Sequence, residues 1–278
     1  MTVKITLGAD PEYGLLKAGR IVPPGSVLTT NTEFGVDGCS SIGELRPPHG
    51  KTPQELTENI RKVLQGGVSR NPQILEYQVK AGGFVAEFPI GGHIHFGHEG
   101  LLEDDNRIKL NKALNRTIAV LTLMVEDQEE AVNRRMGSPY GSTEDRSFHE
   151  QNWGVEYRVL PSWLTHPKEC EAILAVSYVI ASEFHNEEIM DDACSLPGFN
   201  TQAFKECDKL QLLYHVPQIV KFIKGLPLYE TYEDQIKYLF RMIKNRETWS
   251  CNANMLDTWD LRSYAKPMVA KKREAAVV

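Results

Sequence analysis

No pair of cysteines in this sequence has metal-binding or redox spacing. Cys39, Cys170, Cys194, Cys207 and Cys251 are odd in number and far apart, with no CxxC or CxH unit. Zinc-ribbon and thioredoxin-type readings are thereby excluded, and reduced thiols in a cytoplasmic protein are expected. Long apolar runs are missing too; none approaches the roughly 20 residues a membrane helix needs. The opening Met1-Thr2-Val3-Lys4-Ile5-Thr6 is strand-like rather than a basic leader with an apolar core, so a soluble protein without a membrane partner is expected. Basic charge is in deficit, with 31 Lys and Arg against 37 Asp and Glu, a net charge of −6. That balance argues against a general nucleic-acid surface. Walker A and GxGxxG loops are absent, so a nucleotide would need another architecture. There is no internal repeat and no low-complexity linker, and 278 residues suffice to bury a large core.

What the chain does have is a stretch, Gly91-Gly92-His93-Ile94-His95-Phe96-Gly97, that alternates like a strand and sends His93 and His95 to one face. Three other stretches share its polar-x-polar grammar: Asp10-Pro11-Glu12, Glu44-Leu45-Arg46 and Glu156-Tyr157-Arg158. On a single sheet, one face would gather the carboxylates of Asp10, Glu12, Glu44 and Glu156 with two imidazoles and the guanidiniums of Arg46 and Arg158. Burying one unpaired carboxylate costs several kcal/mol even after relaxation, so four together require cations or water. A metal-filled cleft is the expectation.

Around these motifs the sequence predicts a strand over 3–9 running into Asp10, with a hairpin return at Leu15-Leu16 and Gly19. Pro11 within that strand implies an edge or a bulge. A turn at Asp37-Gly38 leads into the Glu44 strand, which Pro47-Pro48 stops. Thr52-Pro53-Gln54-Glu55 is a capping box, opening a helix that Gly66-Gly67 would close. Strands are expected over Gln73–Val79 and Gly83–Phe88, then a long helix from about Asp104 to Met136, with room for a break. A basic, glycine-rich loop spans Arg134 to Arg146. Pro167 opens a second long helix to about Met190, residues 191–205 read as loop, and helical patterns follow near 211–224 and 232–244. This order, strands first and long helices after, gives an α+β fold: an antiparallel or mixed sheet cradle with helices packed on one side.

Hard divalent ions such as Mg²⁺ and Mn²⁺ take carboxylate oxygens, tolerate an imidazole and keep open positions for phosphates. Asp10, Glu12, Glu44, Glu156 and His93 suit two or three of them. Arg46, Arg158, Arg134, Arg135 and Arg146 offer planar donors matched to carboxylate or phosphate. Acids, metals and arginines together equip a site for phosphoryl transfer.

The ordered set Gly8-Ala9-Asp10-Pro11-Glu12, Gly92-His93-Ile94-His95-Phe96 and Val155-Glu156-Tyr157-Arg158 resembles the glutamine synthetase and glutamate–cysteine ligase catalytic fold. With Val36-Asp37-Gly38-Cys39-Ser40-Ser41-Ile42-Gly43-Glu44-Leu45-Arg46-Pro47 and Arg134-Arg135-Met136-Gly137-Ser138-Pro139-Tyr140-Gly141 added, the chain looks like the phage-type COOH–NH2 ligase type-2 amidoligases over roughly residues 5–165. The resemblance implies one catalytic domain over 1–278, with a helical part at 167–265 and a polar tail at 266–278. It implies ATP, Mg²⁺ or Mn²⁺, and small-molecule or peptide carboxylate and amine substrates joined through an acyl phosphate. Asp10, Glu12, Glu44, His93 and Glu156 would be metal ligands. Arg158, Arg146 and Arg46 would be catalytic, and His93, His95, Arg134, Arg135 and Arg146 would hold the nucleotide. Aspartate at position 10, where the superfamily has glutamate, and a lone Glu44 in the middle strand leave the number of metals open, with Asp37 as a stand-in.

Each feature has a plainer reading. An HxH strand also suits zinc, and a metal-dependent hydrolase built on His93, His95 and the carboxylates is the rival activity. A non-catalytic member of the fold is the third reading. Glu44 with Arg46 and Glu156 with Arg158 also read as ion pairs. Arg134-Arg135 suits a helix carboxyl end, the run Glu126 to Glu130 a solvated helix face, the remaining histidines surface or core positions, and Trp153 packing.

Overall fold

A computed structural model describes residues 3–38, 40–136, 141–144, 147–250 and 252–265. Strand alternation builds the frame. β1 (Thr6–Lys17) buries Leu7, Ala9, Tyr13 and Leu15 on one face and presents Gly8, Asp10 and Glu12 on the other. The remaining strands are β2 (Arg20–Ile21), β3 (Phe34–Val36), β4 (Gly43–Leu45), β5 (Gln78–Lys80), β6 (Phe84–Val85), β7 (Phe88–Pro89), β8 (Gly92–Gly97), β9 (Phe148–Gln151) and β10 (Gly154–Tyr157). The main sheet runs β3-β4-β1-β8-β10-β9, with β2 and β5 pairing the far half of β1. Its pairings are antiparallel. β6 and β7 form a hairpin apart from it. The fold is thus α+β with an antiparallel sheet. The strands that carry the four motifs are neighbours.

Pro11 lies in the central strand, not at an edge. Pairing to β8 ends at Pro11 opposite Gly92, and pairing to β4 begins at Glu12 opposite Glu44. The missing N–H of proline therefore falls at the end of one ladder, where it costs little.

Helices cover the apolar face. Half of the capping box at Thr52 forms: Thr52 Oγ1 accepts from Glu55 N at 3.1 Å, while Glu55 Oε2 accepts from Lys51 N at 2.8 Å, one residue before the cap. The helix Pro53–Arg70 does not stop at Gly66-Gly67, however. Gly67 is instead a packing position, because a Cβ there would lie 2.5 Å from the Phe34 ring. Gly67→Ala should gain helix propensity yet lose about 1–3 kcal/mol through overpacking. A lowered midpoint with unchanged slope in urea denaturation would show it.

The segment 104–136 is three helices, Asp104–Arg116, Ile118–Val125 and Gln128–Met136. The first break is at Thr117, whose hydroxyl donates to Ala113 O at 2.6 Å and competes with the backbone ladder. At the second, Asp127 Oδ1 accepts from Glu129 N and Glu130 N. The helix opened by Pro167 ends at Ala181, and Asn186 caps another over Glu187–Ser195. Part of the expected loop 191–205 is therefore helical, and Thr201–Lys205 adds one more turn. The 211–224 pattern divides into Lys209–Leu213 and Val216–Lys224, and Glu233–Asn245 matches its expected place. The two strands expected before the histidine stretch are mostly replaced. Pro72–Glu76 is a 3₁₀ turn, and Ala86 and Glu87 take positive φ in the tight β6–β7 hairpin. Among the described residues no helix is long and apolar enough to cross a membrane.

Pro167–Ala181 is the central helix, with Cys170 and Ala172 through Ala181 buried. Glu169, in its first turn, accepts from the Thr165 hydroxyl, and burial raises its pKa from 4.5 to about 7. A raised carboxyl pKa makes the folded state the tighter proton binder. Wild-type stability should therefore be undiminished by this group below pH 4.5, fall between 4.5 and 7, and carry the whole cost above that. Glu169→Gln should lift stability by about 1–2 kcal/mol at pH 8, after discounting for partial solvent access, and change it little at pH 4. Melting curves of both proteins across that range check the sign.

Candidate functional site

On the face of the sheet away from the main helices, β1, β8 and β10 bring three donors together. Asp10, His93 and Glu156 each offer a ligand atom, all within 4.8 Å of one another. The register explains the convergence, since Asp10 pairs with His93 across one ladder and Glu156 with His95 across the next. His93 Nδ1 lies 3.1 Å from Asp10 Oδ1 and 3.2 Å from Glu156 Oε1. His95 Nε2 approaches the other oxygen of Asp10 at 3.3 Å. The two imidazoles thus flank Asp10 rather than converging on one point.

The electrostatics follow from the crowding. Burial opposes a charged His93, but Asp10 and Glu156 outweigh it and lift its pKa to about 9. Burial likewise pushes Glu156 up, and His93 with Arg158 more than reverses this, leaving it near 2. Burial also opposes ionised Asp10, and its two histidines hold it well below the usual carboxylate range. A protonated imidazole here stands in for a cation. The donor chemistry, two carboxylates and one imidazole, suits a hard divalent ion, and Asp10 Oδ1 is buried with no well-aligned hydrogen bond, His93 Nδ1 at 3.1 Å included. The residues therefore fit such an ion.

Glu12 accepts from Gly91 N at 2.5 Å, and burial raises its pKa to about 7. Glu44 sits directly across the ladder from Glu12 and is held by Arg46, which also donates to Val36 O at 3.1 Å. Asp37 and Arg158 join them around a cavity of about 500 Å³. Arg158 Nε is 3.2 Å from Glu156 Oε1, so the ion-pair reading of these two residues holds at the wall of the cavity. A second cavity of about 550 Å³ lies on the His95 side, lined by Arg46, His95 and Trp153; Asp10 borders both.

The two helix-end arginines depart from the nucleotide-holding expectation. Arg134 borders the cleft, but its Nε, Nη1 and Nη2 donate to the carbonyls of Ile90, Val159 and Leu160 at 2.8–2.9 Å. Three of its five N–H donors go to the backbone. Arg135 points elsewhere, to Glu126 Oε2 at 3.0 Å and across the Phe204 ring. Glu126 is 0% exposed, and Glu130 is buried with its Oε2 accepting from Gly83 N, so the two ends of the acidic run are buried and only Gln128 and Glu129 between them are exposed. Arg146 lies outside the described residues.

Sequence reading missed a second layer. Gln151 Nε2 donates to Glu156 Oε2 at 3.0 Å, and His149 Nδ1 lies 3.4 Å from the same oxygen. Both come from β9, paired to β10, and fix the carboxylate from behind. Their signal was the alternation Phe148-His149-Glu150-Gln151.

The family model described as phage phiEco32-like COOH-NH2 ligase-type 2 matches residues 7–261. No curated protein matches. Among solved structures, a bifunctional glutathione synthetase from Pasteurella multocida is similar at 11% identity and a TM-score of 0.48, covering 95% of this chain and 50% of that one. The chain thus spans about half the length of that structure. A structure titled apo GmaS without ligand is similar at 11% identity and a TM-score of 0.43, covering 86% of this chain and 72% of that one.

Proposed function

The chain belongs to the phage phiEco32-like COOH-NH2 ligase type 2 family, and from that premise we propose that it is an ATP-dependent carboxylate–amine ligase. In the proposed reaction a substrate carboxylate accepts the γ-phosphoryl group of ATP. An amine then displaces phosphate from the acyl phosphate, giving an amide, ADP and phosphate. Phosphorylation supplies the leaving group that a bare carboxylate lacks.

The observation that carries this reading is the convergence of Asp10, His93 and Glu156 on one sheet face. In the proposal these three hold a divalent ion, with Glu12 and Glu44 available to a second. Bound there, Mg²⁺ or Mn²⁺ would offset the charge on the phosphate oxygens. Arg158, the residue after the strand that carries Glu156, meets the transferred phosphoryl group in this proposal. His95 holds Asp10 from its second oxygen, and Gln151 with His149 holds Glu156, so both carboxylates are oriented before substrate arrives. The hydrolase reading needs both histidines on one ion, and their placement on opposite sides of Asp10 disfavours it.

The described chain is proposed to work as one catalytic unit, because a single buried cluster runs from Ile5 to Leu261. The cytoplasm is the proposed location. Cys170, Cys194 and Cys207 are free thiols, which suits a reducing compartment.

The test is ADP release from ATP with panels of small acids and amines. Turnover should require Mg²⁺ or Mn²⁺ together with one acid and one amine, and yield phosphate equal to ADP. Hydrolysis of an amide or ester without ATP would contradict the proposal.

A further inference from the structure

We propose that Trp153 is the platform on which the nucleotide base stacks, in the cavity on the His95 side of Asp10. This rests on the ATP-dependent reading above and adds to it where the base lies.

Trp153 differs from the other tryptophans. Trp163, Trp249 and Trp259 are 0%, 1% and 0% exposed, whereas Trp153 is 39% exposed. Trp163 and Trp259 also bury their indole N–H groups against carbonyls of Gly92 and Leu164. Trp153 sits in the turn between β9 and β10, and its backbone is fixed there. Its carbonyl accepts from His98 N at 3.1 Å. The next residue, Gly154, has φ of +150°, and a Cβ on it would fall 2.1 Å from Phe96 O. A rigid hairpin tip thus holds a large aromatic ring at the wall of an open cavity, where it leaves apolar surface in water.

The surroundings suit a flat heterocycle. On its sheet side the cavity of about 550 Å³ is lined by Gly8 and Gly97, which bring little bulk, beside Thr6. The ring of His95 lies 5.1 Å from that of Trp153 and tilts 38° to it, and His95 also reaches Asp10. A base on Trp153 would therefore have its phosphates directed along His95 toward Asp10, His93 and Glu156. The neighbouring cavity suits the metals and the transferred phosphoryl group rather than the base. It gathers Asp10, Glu12, Asp37, Glu44 and Glu156 with His93 and Arg158, while Arg134 in its wall is bound to carbonyls.

The test compares ATP with inorganic tripolyphosphate, which presents the phosphates without the base, both with Mg²⁺, on wild type, Trp153→Phe and Trp153→Ala. Calorimetry reads affinity. Tryptophan emission and its acrylamide quenching read the ring itself, since the other three tryptophans are buried. ATP should change the emission and shield it from acrylamide, and tripolyphosphate should not. Trp153→Ala should weaken ATP roughly tenfold and leave tripolyphosphate unchanged, and Trp153→Phe should keep most of the affinity. ATP binding by calorimetry with unchanged emission, or equal weakening of both ligands by Trp153→Ala, overturns the stacking role and leaves the ligase proposal standing. No ATP binding to wild type overturns both. Should Trp153→Ala fail to fold, the wild-type emission and Trp153→Phe decide.

Discussion

His93→Ala is expected to cut metal-dependent ADP release by about 10²–10³-fold, with a folded protein remaining. Loss of a ligand or of its support commonly costs 10–100-fold in metal affinity, and the misplaced charge then costs further in the transition state. Here His93 stands between Asp10 and Glu156 and is the group that lets two carboxylates share one space. Its removal should also make stability more dependent on added Mg²⁺, because the ion is then left to offset both charges. Initial rates at saturating ATP and a metal titration measure the two effects. Full activity in the variant would remove His93 from the site.

Arg134→Met is expected to act on stability instead, by about 3–5 kcal/mol. Arg134 is 0% exposed and gives three hydrogen bonds to the carbonyls of Ile90, Val159 and Leu160. Burial, then Arg135, pulls its pKa down to about 10, so it stays charged at neutral pH. Methionine would fill the volume and leave the carbonyls of Ile90 and Val159 without the donors Arg134 gives them, each costing about 1–3 kcal/mol, while Leu160 O keeps its bond from Gly92 N. In a chain of this length that loss corresponds to roughly a 10 °C fall in melting temperature. Lysine should recover part of it, since an ammonium cannot match the planar fork. A variant with normal melting and a raised KM for ATP would restore the nucleotide role.

These two residues mark what was legible in the sequence. His93, Asp10, Glu44 and Glu156 sit on strands, where alternation fixes the face of every second residue, so neighbouring strands align their polar positions once the sheet forms. Their shared face followed from the pattern once one sheet was assumed, whereas the pattern left the sheet antiparallel or mixed and the structure has it antiparallel. Arg134 and Arg135 end a helix, where consecutive residues point about 100° apart and cannot share a target. Which of them faced the cleft depended on how the helix Gln128–Met136 packs, information that lies in the contacts to β6 and β7 rather than in the dipeptide. Gly67 misled for a related reason, because a glycine required by the Phe34 ring is written like one that ends a helix. The burial of Glu126 needed Arg135 and Phe204 from distant parts of the chain. Trp153 read as packing in the sequence, and its 39% exposure depended on the β9–β10 turn that the sequence pattern did not give.

The most direct measurement on the sheet-face site is calorimetric titration of ATP into metal-stripped protein, with and without Mg²⁺ or Mn²⁺, repeated on Glu156→Gln. Binding that requires the metal and weakens at least tenfold in Glu156→Gln is the expected result. ATP binding indifferent to both, or no ATP binding with zinc held tightly instead, would contradict a metal–nucleotide site on Asp10, His93 and Glu156.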